Sequence, residues 1–166
     1  MKESLEVDLA CSLENAARLE ALQKLFTSVC REISNHAAEF DCWSRVGLHH
    51  LTYHAIRKKY PSLGSQMTCN AIYSVSRLAK ENLFLNKKNK SNKILEIVEE
   101  KQMPIFFDRH TISIKNNLLS MFTMEGRIKF KINTDNEIEE KIKNKKLKEI
   151  ILLNENSKYI LKFEFN

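Results

Sequence analysis

The chain has 166 residues, 43% of them hydrophobic, and its 27 Lys and Arg exceed its 21 Asp and Glu to give a formal charge of +6. That apolar content suffices for a buried core, in one domain or two small ones, and the basic balance suits an acidic partner such as nucleic acid without requiring one. The charged N-terminus and the lack of any long apolar run argue against a signal peptide or a membrane span, so a soluble, cytoplasmic protein without membrane contact is expected.

Leu5, Val7 and Leu9 alternate with Glu6 and Asp8, which predicts a half-buried strand over residues 4 to 10. Ser12 is a good N-cap for a long amphipathic helix whose stripe runs through Leu19, Leu22, Phe26, Val29, Ile33, Ala37 and Phe40. Gly47 interrupts, and a second helix is expected from Leu48 to Tyr60, where Pro61 stops it. Ser65 then caps a third helix with Thr68, Ala71, Ile72, Val75 and Leu78 on its buried face. Residues 86–93, Asn-Lys-Lys-Asn-Lys-Ser-Asn-Lys, are polar and aperiodic and read as a linker. Ile94 to Val98 make a short amphipathic element that ends before Pro104.

From Pro104 onward the pattern changes to short alternating runs, read as strands over 105–107, 111–115, 118–123, 127–132, 147–153 and 158–165. Asn116-Asn117, Glu125-Gly126 and Asn154 to Ser157 supply turns between them. The expected fold class is therefore α+β: a helical bundle inserted after the first strand of a small antiparallel β-barrel. Its parts would be a first barrel strand at 1–11, a helical domain at 12–85, the linker at 86–93 and the barrel at 94–166.

Few side chains suggest catalysis. His50 and His54 share a helix face at metal-binding spacing, with His49 beside them, but two ligands do not make a site, and packed or surface histidines fit as well. Cys11, Cys30, Cys42 and Cys69 form no CxxC pair and read as free thiols in a reducing compartment. Asp108, Glu125 and Glu164 are acids near turns or on outer faces, better suited to solvent than to a two-metal centre. No catalytic residue, metal or cofactor is expected.

Basic residues carry more. Arg57, Lys58 and Lys59 end the second helix, and Arg77 and Lys80 lie toward the end of the third. On the strand 127–132, Arg127, Lys129 and Lys131 share one face, with Ile128, Phe130 and Ile132 on the other. Such a ladder suits a phosphate backbone, although a plain solvated face would look the same. Gln66, Asn70 and Tyr73 on the third helix could contact bases, as they could decorate any helix.

The segment Leu48 to Gln66, including His49-His50-Leu51-Thr52-Tyr53-His54 and Arg57-Lys58-Lys59-Tyr60-Pro61, continues through Asn70 to Val75 and resembles the helical recognition lobe of the TnpB (OrfB) family. These are transposon-encoded RNA-guided nucleases related to type V CRISPR effectors. Asp108 to Ile114 and Leu119 to Phe130, with Thr123-Met124-Glu125-Gly126-Arg127-Ile128-Lys129, look similar to the wedge barrel of that family. The resemblance covers the binding half of the pattern. The nuclease half is not matched, since neither the Asp-x-Gly opening of a RuvC-like domain nor the CxxC pairs of a zinc ribbon occur.

The resemblance implies a truncated or stand-alone module that binds structured RNA, DNA or both without cutting, with a separate polypeptide as a possible source of nuclease activity. It makes Arg57, Lys58, Lys59, Arg77, Arg127, Lys129 and Lys131 candidates for phosphate contacts, with Lys80 nearby, and Gln66, Asn70 and Tyr73 for bases. The alternative is a protein-interaction or regulatory module acting on a full-length or split nuclease. A third is an enzyme using His50, His54 or a cysteine.

Overall fold

The computed structural model describes residues 3–132 and 137–166, so Met1 and Lys2 of the expected first-strand segment lie outside it. Two compact units emerge, Ala21–Met103 and a β-rich unit of Met1–Glu20 with Pro104–Asn166. These divisions fall inside the first helix and just before Pro104, rather than at the boundaries expected near residues 12 and 94. The described residues form an α+β chain with antiparallel sheets.

Helix α1 (Leu13–Phe40) begins after Ser12, whose Oγ accepts a hydrogen bond from the Asn15 N–H at 3.1 Å. Its expected stripe is its core face from Leu19 to Ala37, with Leu19, Leu22, Phe26, Val29, Ile33 and Ala37 buried, whereas Phe40 at the last residue of the helix is exposed. Helix α2 (Arg45–Lys59) starts three residues before the expected position because Ser44 caps it, its Oγ accepting from the Gly47 N–H. Gly47 therefore does not interrupt the helix. A Cβ there would lie 2.5 Å from Cys42 Sγ and 2.8 Å from Ser44 Oγ, so close packing of the cap selects glycine.

Pro61–Leu63 form a single 3-10 turn, and Gly64, at φ +79°, turns the chain into α3 (Ser65–Glu81). Gly64 is thus the capping position expected at Ser65, and its carbonyl accepts both the N–H and the hydroxyl of Thr68. Helix α4 (Lys87–Glu100) occupies most of the expected linker. Asn86 Oδ1 accepts from the Asn89 N–H, Lys87 pairs with Asp41 at 2.6 Å, and Ile94 and Val98 are buried two turns on. The polar first turns had concealed the helix because its apolar contacts begin only at Ile94.

In the β unit one sheet has the order β1-β7-β6-β2, comprising β1 (Glu3–Leu9), β7 (Lys158–Phe165), β6 (Leu147–Glu155) and β2 (Ile105–Phe107). A second sheet has the order β3-β4-β5, from β3 (Ile112–Lys115), β4 (Leu118–Thr123) and β5 (Gly126–Lys131). No closed barrel occurs among the described residues. Between β2 and β3, Asp108 Oδ1 accepts from the N–H groups of His110 and Thr111 and from the Thr111 hydroxyl, a turn that takes the chain from one ladder to the other.

The first strand finds its partner in the last, with Leu5 opposite Phe163, Val7 opposite Leu161 and Leu9 opposite Tyr159. Strand β6 lies between β7 and β2 and buries Ile150, Ile151 and Leu152 consecutively, as a central strand covered on both faces does. A short helix α5 (Glu137–Asn144), not expected from sequence, carries acids in its first turn and lysines in its last, which complements its dipole.

Candidate nucleic-acid interface

The three-stranded sheet owes its register to its turns. Asn116 and Asn117 join β3 to β4 with φ of +52° and +58°, the left-handed pair that a two-residue hairpin matched to strand twist requires. Asparagine tolerates that geometry better than most residues, so Lys115 is fixed opposite Leu118. Across the next ladder Leu118 faces Lys131, Ser120 faces Lys129 and Phe122 faces Arg127.

With side chains alternating along each strand, this register sorts the sheet into two faces. Ile112, Leu119, Met121, Thr123, Ile128 and Phe130 are buried on one. The other presents two rows across the strands, Lys115-Leu118-Lys131 and Ser113-Ser120-Lys129, and Arg127 beside Phe122. Lys115, Arg127, Lys129 and Lys131 are exposed, while Ser120 and Phe122 are half-buried. None of the described residues that these three strands place on this face is acidic.

Acids do lie at the turns of this sheet: Glu139 Oε1 accepts from the Asn117 N–H at 2.9 Å, and Glu125 is drawn toward Arg18. Glu125, in the turn between β4 and β5, lies 3.9 Å from the guanidinium of Arg18, which also donates to Thr123 Oγ1 and the Gly126 carbonyl. Arg127 is held by neutral groups: Nε donates to Ser120 Oγ at 2.8 Å, Nη2 to the Ser120 carbonyl at 2.8 Å and Nη1 to the His110 carbonyl. Its charge is therefore oriented but not cancelled, and two of its five N–H donors remain unused by these bonds.

The helical candidates are more occupied. Lys59 pairs with Glu32 at 2.7 Å, and Tyr60 donates to the same carboxylate. Burial alone would raise the Glu32 carboxyl, but these two hydrogen bonds outweigh it and hold it below the ordinary value. Arg57 donates to the Pro61 carbonyl, and Arg77 pairs with Glu81 one turn away. Asn70, a candidate for base contact, is buried and donates to the Met67 sulfur. Tyr73 is half-buried under the Arg45 guanidinium, 5.2 Å from the ring centre, and Gln66 is half-buried. Lys58 and Lys80 are exposed.

His49 stacks on Tyr53 with ring centres 4.6 Å apart, while His50 and His54 are exposed. Among the described residues no three His, Cys, Asp or Glu side chains gather where they could hold a metal ion. Cys30 is fully buried, and that burial pushes its thiol up to about 12, against thiolate formation at neutral pH. The other two acids considered from sequence have structural partners: Asp108 organises the turn before β3, and Glu164 pairs with Lys162 at 3.0 Å.

Sequence reasoning named Arg127, Lys129 and Lys131 as candidates but not Lys115, Ser113, Ser120 and Phe122, which the structure places on the same face. Alternation in β3 and β4 already assigned each of these to one side of its strand. The pairing register, which puts them on the same side as the β5 cations, was the missing information. No helix among the described residues is long and apolar enough to cross a membrane. Compared with known proteins, the chain matches no family model and no curated protein.

Proposed function

We propose that the chain is a non-catalytic nucleic-acid-binding module whose principal contact surface is the outer face of β3, β4 and β5. The observation that carries this reading is the grouping of Lys115, Arg127, Lys129 and Lys131 on one exposed face to which the described strand residues contribute no acid. A polyphosphate chain rewards such a surface because each neutralised phosphate releases condensed counterions. The resemblance to the binding half of TnpB supports the same reading. In that reading the helices are an insertion after the first strand of a wedge-like β domain, and Lys58 and Lys80 are phosphate-contact candidates of the helical unit itself.

Fluorescence anisotropy with labelled RNA and DNA, over roughly 50 to 200 mM salt, tests it. Affinity should fall steeply with salt. Substituting Arg127, Lys129 and Lys131 together with alanine should weaken binding and flatten the log-log salt slope by about 2 to 3, near one unit for each lost phosphate contact. Absence of binding at the lowest salt would exclude the reading and favour a protein-interaction module.

A further inference from the structure

The same sheet face carries a feature that phosphate binding does not use. Phe122 is a half-buried aromatic on the outer side of β4, where Leu118 is also exposed, while Leu119 and Met121 point to the opposite face and are fully buried. It faces Arg127 across the ladder to β5, and Ser120 lies one step along the same side of β4. A core requirement does not explain an aromatic ring on a sheet face whose other residues are cations, serines and the exposed Leu118.

We infer that this face binds an unpaired nucleic-acid strand, with a base stacked on Phe122 and the backbone tracked by Arg127, Lys129 and Lys131. The inference rests on the nucleic-acid reading above and names the form of its ligand. Same-face residues on β5 are about 7 Å apart, close to the reach of one extended nucleotide, so the three cations match successive phosphates of an extended strand. The three strands together are about 10 Å across, wide enough for one strand of nucleotides lying beside an aromatic ring. A stacked base needs an accessible π-face, which every base of an unpaired strand offers and a base inside a duplex does not. Arg127, fixed by Ser120 and the His110 carbonyl, is paired opposite Phe122 in the ladder.

The test compares an unstructured oligothymidylate with a DNA duplex of equal phosphate number, by anisotropy against the full chain. Phe122→Ala should lower affinity for the single strand about tenfold, leave its salt slope unchanged and leave duplex affinity unchanged. Phe122→Trp should retain single-strand affinity. Phe122→Leu, which keeps an apolar side chain without a ring, should behave as Phe122→Ala does and guards against a folding defect, which circular dichroism would report. Equal losses for both probes, or no loss for either, would overturn the stacking. Wild-type binding to the duplex alone would overturn this inference while sparing the broader reading, and binding to neither probe would overturn both.

Discussion

Gly47 shows how one residue can mean opposite things in sequence and in structure. By propensity, glycine in a helix is worth about 1 kcal/mol less than alanine, so its usual reading is a break. Here it stands in the first turn of α2, where a Cβ would intrude on Cys42 Sγ at 2.5 Å and on the capping Ser44 Oγ at 2.8 Å. Gly47→Ala would gain the propensity term but displace a cap worth about 1 kcal/mol and crowd a thiol, with overpacking costing about 1 to 3 kcal/mol more. The expected outcome is net destabilisation and a thermal midpoint lowered by a few degrees, measured by circular dichroism. Removing the thiol as well, in Cys42→Ala with Gly47→Ala, should restore part of the loss. A midpoint unchanged or raised by Gly47→Ala would mean that both side chains rotate aside freely.

At the scale of elements, the helices and strands with long apolar periods were legible, and those whose polar ends outweigh their apolar contacts were not. Helix α4 was obscured by its lysines and asparagines, and α5 by its eight residues and its few apolar side chains. What anchors α4 and the segment after it is also hard to see in a sequence, because polar side chains of α1 serve backbone groups far along the chain. Gln23 donates to the Met103 carbonyl, Thr27 Oγ1 accepts from the Met103 N–H at 2.9 Å, and Arg31 donates to the carbonyls of Val98 and Glu99. These residues recur every four positions, so they form one polar row along α1 that satisfies the end of α4 and its exit. Gln23 and Thr27 are buried, so removing a partner leaves an orphan rather than a solvated group. Thr27→Val keeps the shape and strands the Met103 N–H, which should cost about 1 to 3 kcal/mol in urea unfolding and speed exchange of that amide. Thr27→Ser, which keeps the acceptor, should recover most of the stability. Equal stabilities for Thr27→Val and wild type would show that the buried N–H finds another acceptor.

At the scale of the whole chain, periodicity announced an N-terminal strand without a nearby partner but could not say which of six later strands would take it. Pairing is decided by matched faces and by turns, and the decisive partner, β7, lies at the other end of the chain. Its buried residues Tyr159, Leu161, Phe163 and Phe165 alternate in step with Leu5, Val7 and Leu9, and this agreement of periods makes the ladder self-consistent. Glu3 adds a charged tie: hydrogen bonds from Lys145 and then Lys141 hold its carboxyl below the ordinary range, and both lysines belong to or follow α5. The β unit is thus built from segments that must wait for most of the chain before they can pair, an arrangement with a high loop-closure cost. Once formed, β1 and β7 share one cooperative fate, because without β1 the inner side of β7 loses the apolar partners opposite Leu161 and Phe163. Val7 is the sensitive point, only 7% exposed and opposite the fully buried Leu161. Val7→Asp would place an unpaired charge there at a cost of about 3 kcal/mol or more, whereas Val7→Ile conserves the apolar contact. Hydrogen exchange should then show the β1 amides and the β7 amides that face them losing protection together in Val7→Asp and keeping it in Val7→Ile. Protection retained along β7 in Val7→Asp would mean that β6 alone holds the last strand and that the first strand is dispensable to the sheet.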